Sequence, residues 1–200
     1  MKFQKWNLAS VEAQDVDRLM EAGYPYLVSG VLSSRGIHTA EQAADFLDLD
    51  SSLEHSAFLM ADMDKAVARI NDALLWGEKI AVFGDYDVDG VSSVTLLRAI
   101  LEAYGIRTDW FIPVRTREGY GLSDEGIRRA TELCGGKPAL IICVDCGTSS
   151  VEEVAKLRAM GIDVVILDHH EGSALGRPDA VAVVNAKLEE DSPLTYLCSA

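Results

Sequence analysis

The chain has 200 residues, 48% of them hydrophobic, which is enough for one sizeable core and a small appended unit and excludes a disordered protein. No apolar run approaches the roughly 18 residues that a membrane span needs, and the first residues lack the apolar stretch of a signal peptide, so we expect a cytoplasmic protein. The formal net charge of −14 weighs against a polyanionic partner such as nucleic acid.

Residues 1–60 are predicted to form a small helical region. Helical patterns cover residues 11–22, 26–33 and 40–47, and Thr39 with Gln42 three positions later is typical of a capping box. This region has no acids or histidines at ligand spacing, so we interpret it as a packing or docking lobe. A longer helix is predicted over 63–76, with Val67, Ile70, Leu74 and Leu75 on its apolar face.

From Lys79 onwards, apolar strands alternate with helices, a pattern that predicts an α/β fold with a mostly parallel sheet and helices on both faces. The predicted strands are residues 80–84, 110–113, 139–144, 164–167 and 180–184, and the predicted helices are 91–104, 124–133 and 150–160. In such sheets ligands bind outside the carboxyl ends of the strands. The residues that follow each strand are therefore the first place to look for a site.

The densest group of acids follows the first strand, in the sequence Asp85-Tyr86-Asp87-Val88-Asp89-Gly90. Three carboxylates this close repel one another unless cations lie among them. A calcium-binding EF-hand loop opens in the same way, but it requires a glutamate at its twelfth position, which here is Leu96, and a helix rather than a strand before it. The EF-hand is therefore excluded, and a different metal site is predicted.

Two further strands end in potential ligands. Asp145 follows the strand at 139–144, and Asp168, His169 and His170 follow the strand at 164–167. If these strands are neighbours, all the groups meet at one edge, and carboxylates together with imidazole favour manganese. One aspartate between two ions is typical of sites that hydrolyse phosphate esters. Cys143 and Cys146 lie beside Asp145, and we interpret them as buried small side chains rather than a redox or zinc pair.

The motifs Gly84-Asp85-Tyr86-Asp87-Val88-Asp89-Gly90, Val144-Asp145-Cys146-Gly147 and Asp168-His169-His170 resemble motifs I, II and III of the DHH phosphoesterase superfamily, in the form found in RecJ-like exonucleases. The resemblance extends from about Gly30 to the end of the sequence. It implies that residues 61–200 form a DHH domain that stops before motif IV, with the DHHA1 and OB-fold domains of the family absent. We therefore expect an amino-terminal fragment of such an enzyme, with part of its metal site missing.

The resemblance also implies roles for the site residues. Asp87 and Asp89 would bind separate Mn2+ (or Mg2+) ions, Asp145 would bridge the two ions, and His169 would complete the shell of the second. Asp85 would be a ligand or an outer-shell carboxylate. Asp145 and His170 are the predicted catalytic residues, with His170 contacting the scissile phosphate and Asp168 orienting a histidine from the second shell.

A second predicted feature is the loop that contains Arg115, Arg117 and Tyr120. Guanidinium groups pair with phosphate oxygens, and a tyrosine can stack on an unpaired base. A solvated turn with Tyr120 packed down explains the same residues, and only the resemblance favours substrate contacts.

The implied activity is 5′-to-3′ hydrolysis of single-stranded DNA to mononucleotides in DNA repair and recombination, although the fragment alone would cut little. The net charge does not exclude this substrate, because bound cations would reverse the local sign. The alternatives are a DHH phosphodiesterase for short oligonucleotides or cyclic dinucleotides, a pyrophosphatase, and a non-catalytic DHH scaffold. We expect a monomer whose missing domains would contact a single-stranded-DNA-binding protein or a helicase.

Overall fold

A computed structural model describes residues 7–47, 55–119, 121–190, 192, 194–195 and 197–198. The chain divides into two compact units, Met1–His55 and Ser56–Ala200. Within the part of the chain that the model describes, no helix is long and apolar enough to cross a membrane.

The first unit contains three short helices, α1 (Ala13–Glu21), α2 (Tyr26–Ser34) and α3 (Ala40–Leu47). They enclose a small core of Leu19, Leu32 and Ala43. Helix α3 opens with the predicted capping box: the Gln42 N–H donates to Thr39 Oγ1 at 3.1 Å, and the Thr39 N–H donates to Gln42 Oε1 at 3.2 Å. These reciprocal bonds satisfy two backbone donors that the helix start would otherwise leave without partners.

The second unit is an α/β domain, as the alternation of patterns predicted. Its helices are α4 (Met63–Leu75), α5 (Val88–Ala103), α6 (Asp124–Leu133) and α7 (Val151–Ala159), and its strands are β1 (Ile80–Gly84), β2 (Asp109–Phe111), β3 (Leu140–Val144), β4 (Asp163–Leu167) and β5 (Ala182–Val184). Single turns of 3-10 helix lie at Ala57–Leu59 and Ala186–Leu188.

All five strands are parallel and lie in the order β2-β1-β3-β4-β5. The three strands that precede the candidate ligands, β1, β3 and β4, are therefore adjacent in the middle of the sheet. Central strands are covered on both faces, which explains why β1 and β3 are apolar at every position rather than at alternate ones.

The core has one layer on each face of the sheet, which confirms the predicted fold class. On one face, Val82 and Ile142 pack with Ala66 and Ala73 of α4 and with Val94 of α5. On the other face, a second set of strand side chains packs against α6 and α7; it comprises Ala81, Phe83, Ile141, Cys143, Val164 and Ile166. Side chains of successive strand residues point to opposite faces, so each apolar strand contributes to both layers.

Two details differ from the sequence expectations. Helix α5 begins at Val88, three residues before the predicted start, so Asp89 lies in its first turn. The predicted apolar face of α4 is wrong in part: Ile70 and Leu74 pack into the core as predicted, but Val67 is 37% and Leu75 80% exposed. Ala66 and Ala73 complete the packed face. The alanines were overlooked because a small side chain contributes little to a hydrophobic pattern, yet only a small side chain lets this helix approach the sheet closely.

Candidate metal centre

The register of the sheet brings three aspartates side by side. Gly84 of β1 pairs with Val144 of β3, and Val144 pairs with Leu167 of β4. The next residues in the three strands are Asp85, Asp145 and Asp168, and all three are buried. The Asp145 N–H extends the ladder by donating to the Leu167 carbonyl at 2.9 Å. The carboxyl end of the sheet is therefore lined with carboxylates, as predicted.

The segment after β1 turns at once into α5, and Asp87 is the N-cap of this helix. Its Oδ1 accepts from the Gly90 N–H at 3.1 Å, so this carboxylate both caps the helix and faces the site. The same hydrogen bond is the main reason that the pKa of Asp87 is lowered. The charged form of Asp87, which a metal ion needs, is thus favoured by the helix start.

Glycine is required at position 90 by a close contact between helix and strand end. A Cβ atom on Gly90 would lie 2.3 Å from the Asp85 carbonyl oxygen, and one on Gly84 would lie 2.3 Å from Val94 Cγ2. Any other side chain would therefore push the start of α5 away from β1. The two glycines allow Asp87 and Asp89 to lie next to the carboxylates of the neighbouring strands.

Two groups of side chains have the spacing of metal ligands, and they share Asp145. Asp85, Asp87 and Asp145 form one group, and Asp145, His169 and His170 form the other, with the ligand atoms of each group within 4.8 Å of one another. Asp89 lies beside the second group, since its Oδ2 is 3.8 Å from His169 Nδ1, while His169 Nε2 is 3.8 Å from Asp145 Oδ1. The geometry therefore contains two neighbouring groups of possible cation ligands that share one carboxylate.

The donor atoms fit a divalent cation. Among the residues that the structure describes, Asp85 Oδ1 and His169 Nδ1 are buried and have no hydrogen-bond partner. A buried acceptor without a partner is destabilising unless a ligand satisfies it. Burial, followed by the neighbouring charge of Asp87, raises the pKa of Asp85 against the lowering effect of the Tyr86 and Gly121 N–H groups. A cation would relieve both the missing contacts and the repulsion.

Asp168 belongs to neither ligand group, but it forms a hydrogen bond with His170. Its Oδ1 is 2.7 Å from His170 Nδ1 and accepts from the His169 and His170 N–H groups, while its Oδ2 accepts from the Thr148 N–H. Burial on its own would raise the pKa of Asp168, but the bonds from Thr148 and His170 outweigh it and lower the pKa. An ionised Asp168 accepts a hydrogen bond from Nδ1–H, which fixes the tautomer of the His170 ring.

Behind Asp168, two residues that the sequence analysis gave no role complete the network. The buried Asn185 amide donates to Thr148 Oγ1 and to the His170 carbonyl, both at 2.9 Å. Asn185 follows β5, and Thr148 follows Asp145 by three residues, so both lie just beyond strand ends. Their position just beyond the ends of apolar strands is the sequence signal that points to them.

The arginine loop lies next to the first aspartate motif. The guanidinium of Arg115 is 5.5 Å from the ring centroid of Tyr86, the residue between Asp85 and Asp87. Arg117 is exposed on the same turn. Tyr120, the third predicted substrate contact, lies outside the described residues. The loop is tied down by the buried Glu118, which the sequence analysis also missed because its partner Arg129 lies on α6.

Comparisons with known proteins show the family to which the chain is similar. Residues 79–200 match the model of the DHH family, N-terminal domain. The single-stranded-DNA-specific exonucleases RecJ of Bacillus subtilis and Salmonella typhimurium are 36% and 34% identical to the chain, over 92% and 95% of its length. The chain spans only 23% and 31% of those two relatives.

A solved structure of exonuclease RecJ bound to manganese is also similar to this one. It matches with a TM-score of 0.61 and 31% identity over 69% of this chain, which is 34% of that protein. The family match lies on the residues that form β1 to β5 and all the carboxylates described above, so the chain belongs to the DHH family.

Proposed function

We propose that the chain forms the metal centre of a metal-dependent phosphoesterase that removes mononucleotides from the 5′ end of single-stranded DNA, with two Mn2+ or Mg2+ ions. The observation that carries this proposal is the pair of ligand groups that share Asp145. Paired cations joined by one carboxylate suit phosphate-ester hydrolysis. The exonuclease relatives and the manganese-bound RecJ structure support the substrate and the metal.

Each side chain has a part in this proposal. Asp87 and Asp89 would hold separate ions, Asp145 would hold both, His169 would hold the second, and Asp85 would contribute its Oδ1 or orient the others. The bound ions would polarise the phosphoryl group and lower the pKa of the attacking water. Because Asp168 engages Nδ1 of His170, the other ring nitrogen of His170 is the one that meets the scissile phosphate.

The loop beside Asp85 supplies the proposed substrate contacts. Arg115 and Arg117 pair with backbone phosphates, for which planar guanidinium groups are well suited. Tyr120 is proposed to stack on a base, because proteins commonly bind single-stranded nucleic acid by stacking its bases on aromatic side chains. A cytoplasmic location, a monomeric state and contacts with a single-stranded-DNA-binding protein or helicase stay predictions.

The test uses the protein with Mn2+ and single-stranded DNA labelled at the 5′ end. We expect labelled mononucleotide from the first turnovers, whereas the same DNA labelled at the 3′ end should yield progressively shorter labelled strands. Cleavage restricted to dinucleotides or cyclic dinucleotides would replace the exonuclease with the phosphodiesterase alternative. Absence of Mn2+ binding would favour a non-catalytic scaffold. An Asp145→Asn variant controls for contaminating nuclease.

A further inference from the structure

Glu118 is a charged residue in an unusual place. Its side chain is only 1% exposed, although it lies in a surface turn whose other members, Val114 to Arg117, are exposed. Burying a carboxylate is costly unless partners surround it. We therefore expect the buried Glu118 carboxylate to form specific contacts that fix the surrounding chain.

The Glu118 carboxylate closes the turn on itself. Its Oε2 accepts from the Val114 N–H at 2.7 Å, while the N–H groups of Arg117 and Glu118 donate to the Val114 carbonyl at 2.8 and 3.0 Å. Val114 and Glu118 are therefore joined by a hydrogen bond in each direction, which closes the turn. The backbone of Arg115 lies inside this closed turn.

Contacts with α6, and through it with β2, fix the position of Glu118. Arg129 of α6 forms an ion pair with Glu118, and its guanidinium lies 5.9 Å from the ring centroid of Phe111, the last residue of β2. Ser123, the N-cap of α6, donates its hydroxyl to the Glu118 carbonyl at 2.8 Å. The turn is thus anchored to α6 directly and to β2 through Arg129.

The consequence of this anchoring is the position of Arg115 over Tyr86. Because Tyr86 lies between two of the proposed metal ligands, a guanidinium over its ring is at the edge of the metal centre. A mobile arginine would lose more conformational entropy on binding a phosphate than one that is already in place. Preorganisation of this kind strengthens binding without changing the reacting groups.

We propose that Glu118 is a positioning residue that holds the turn at 114–118, with Arg129 as its partner, so that Arg115 is poised to contact a backbone phosphate of single-stranded DNA. The nature of the ligand rests on the proposed function, whereas the anchoring of the turn rests on the contacts above. Glu118 acts through Arg115 and does not touch the metal centre itself.

The experiment compares KM and kcat for a 5′-labelled single-stranded oligonucleotide with Mn2+. We expect Glu118→Ala to raise KM about tenfold with kcat nearly unchanged, and Glu118→Gln, which keeps an acceptor for the Val114 N–H, to raise KM about threefold. The matched control is Glu125→Gln, which removes an exposed carboxylate in the first turn of α6 and leaves the turn untouched. KM for this control should stay at the wild-type value.

A double-mutant cycle separates positioning from a general effect on folding. If Glu118 acts through Arg115, Glu118→Ala should add almost nothing to the rise in KM caused by Arg115→Ala. Fully additive effects, an unchanged KM, or loss of Mn2+ binding in the Glu118 variants would each overturn the proposal. Should Glu118→Ala fail to fold, Glu118→Gln and Arg129→Lys provide the same comparison.

Hydrogen exchange tests the anchoring without DNA. The Val114 amide should exchange about tenfold faster in Glu118→Ala than in the wild type, because its acceptor has gone. If the wild type binds Mn2+ but neither binds nor cuts single-stranded DNA, the proposed function fails and with it the assigned ligand, while faster exchange would still support the anchoring. Unchanged exchange at Val114 would overturn the positioning role whatever the substrate.

Discussion

At the residue scale, Asp145 combines burial, charge and an unusual backbone conformation. It is fully buried and has φ of 59°, in the left-handed region that few residues other than glycine adopt. Strained backbone of this kind is concentrated at functional sites, where the surrounding structure enforces it. Here the strain turns the chain directly after β3, which directs this carboxylate towards both ligand groups.

The first prediction concerns Asp145→Asn. Asparagine tolerates the left-handed conformation and has nearly the same shape, so the fold should survive, as judged by circular dichroism. Mn2+ affinity, measured by calorimetry, should fall by more than the about 10- to 100-fold that the loss of an outer-shell partner costs. Retention of near wild-type Mn2+ binding would contradict the bridging role.

The second prediction concerns Gly90→Ala. Its Cβ would overlap the Asp85 carbonyl, so the start of α5 must shift, and we expect a loss of about 1–3 kcal/mol in the free energy of unfolding together with weaker Mn2+ binding. Gly30→Ala in α2 is a suitable control, because open space surrounds the position of its Cβ. That change should stabilise the protein by roughly 0.5–1 kcal/mol. If chemical denaturation gave the two variants the same free energy of unfolding relative to the wild type, a close contact at Gly90 would be contradicted.

At the element scale, the strands β1 to β4 end in different ways, and each ending positions residues of the candidate site or of the turn beside it. Strand β1 passes directly into α5, whose cap is the candidate ligand Asp87. Strand β3 ends in the strained Asp145, and β4 ends in a segment that Asp168 folds back through hydrogen bonds to the two histidine N–H groups. The turn after β2 is closed by Glu118.

The third prediction is a pH dependence of stability that arises from Glu118. Burial alone would raise its pKa, but the Val114 N–H and Arg129 outweigh burial and lower it below the ordinary value of 4.5. A group whose pKa is lower in the folded state stabilises the protein above pH 4.5, and the stabilisation is lost as the pH falls through the folded-state pKa. The difference in the free energy of unfolding between wild type and Glu118→Gln should therefore shrink on acidification below pH 4.5.

Urea denaturation at several pH values measures this difference. Glu152→Gln, which removes an exposed carboxylate from the first turn of α7, is the reference for the loss of one surface charge. A difference between wild type and Glu118→Gln that stays constant from pH 6 to pH 3 would contradict the assignment.

At the scale of the whole molecule, part of the negative charge is concentrated at the carboxyl end of the sheet. The formal net charge is −14, and Asp85, Asp87, Asp89, Asp145 and Asp168 all meet at one edge of the sheet. Like charges this close destabilise the folded state in the absence of cations. We therefore expect metal binding and folding to be coupled in this protein.

The fourth prediction follows from this coupling. Mn2+ at about 100 times its dissociation constant should stabilise the protein by about 2.7 kcal/mol, which raises the Tm in a thermal-shift measurement. EDTA should reverse the increase, and Asp145→Asn should show little of it. A Tm that does not respond to Mn2+ in the wild type would contradict a cation site at this edge.

Much of the fold could be predicted because its determinants are local. Apolar runs of strand length, helical periodicity and the capping pair Thr39 and Gln42 act within a few residues, and the corresponding elements are present within a few residues of their predicted ends. The limits of α5 were less accurate, because its first turn depends on the close contact of Gly90 with Asp85, which no local pattern reveals.

The sequence by itself determined which chemistry is available: carboxylates and imidazoles at the ends of apolar strands, since an aspartate or histidine keeps its ligand chemistry in any fold. Only the tertiary structure decided how these groups combine. The register of β1, β3 and β4 brings Asp85, Asp145 and Asp168 side by side. Side-chain contacts then give the acids different partners: Asp168 binds His170, and Glu118 binds Arg129. The physical reason is distance: interactions between charges and hydrogen-bonding groups act over a few ångströms in space, whatever their separation along the chain.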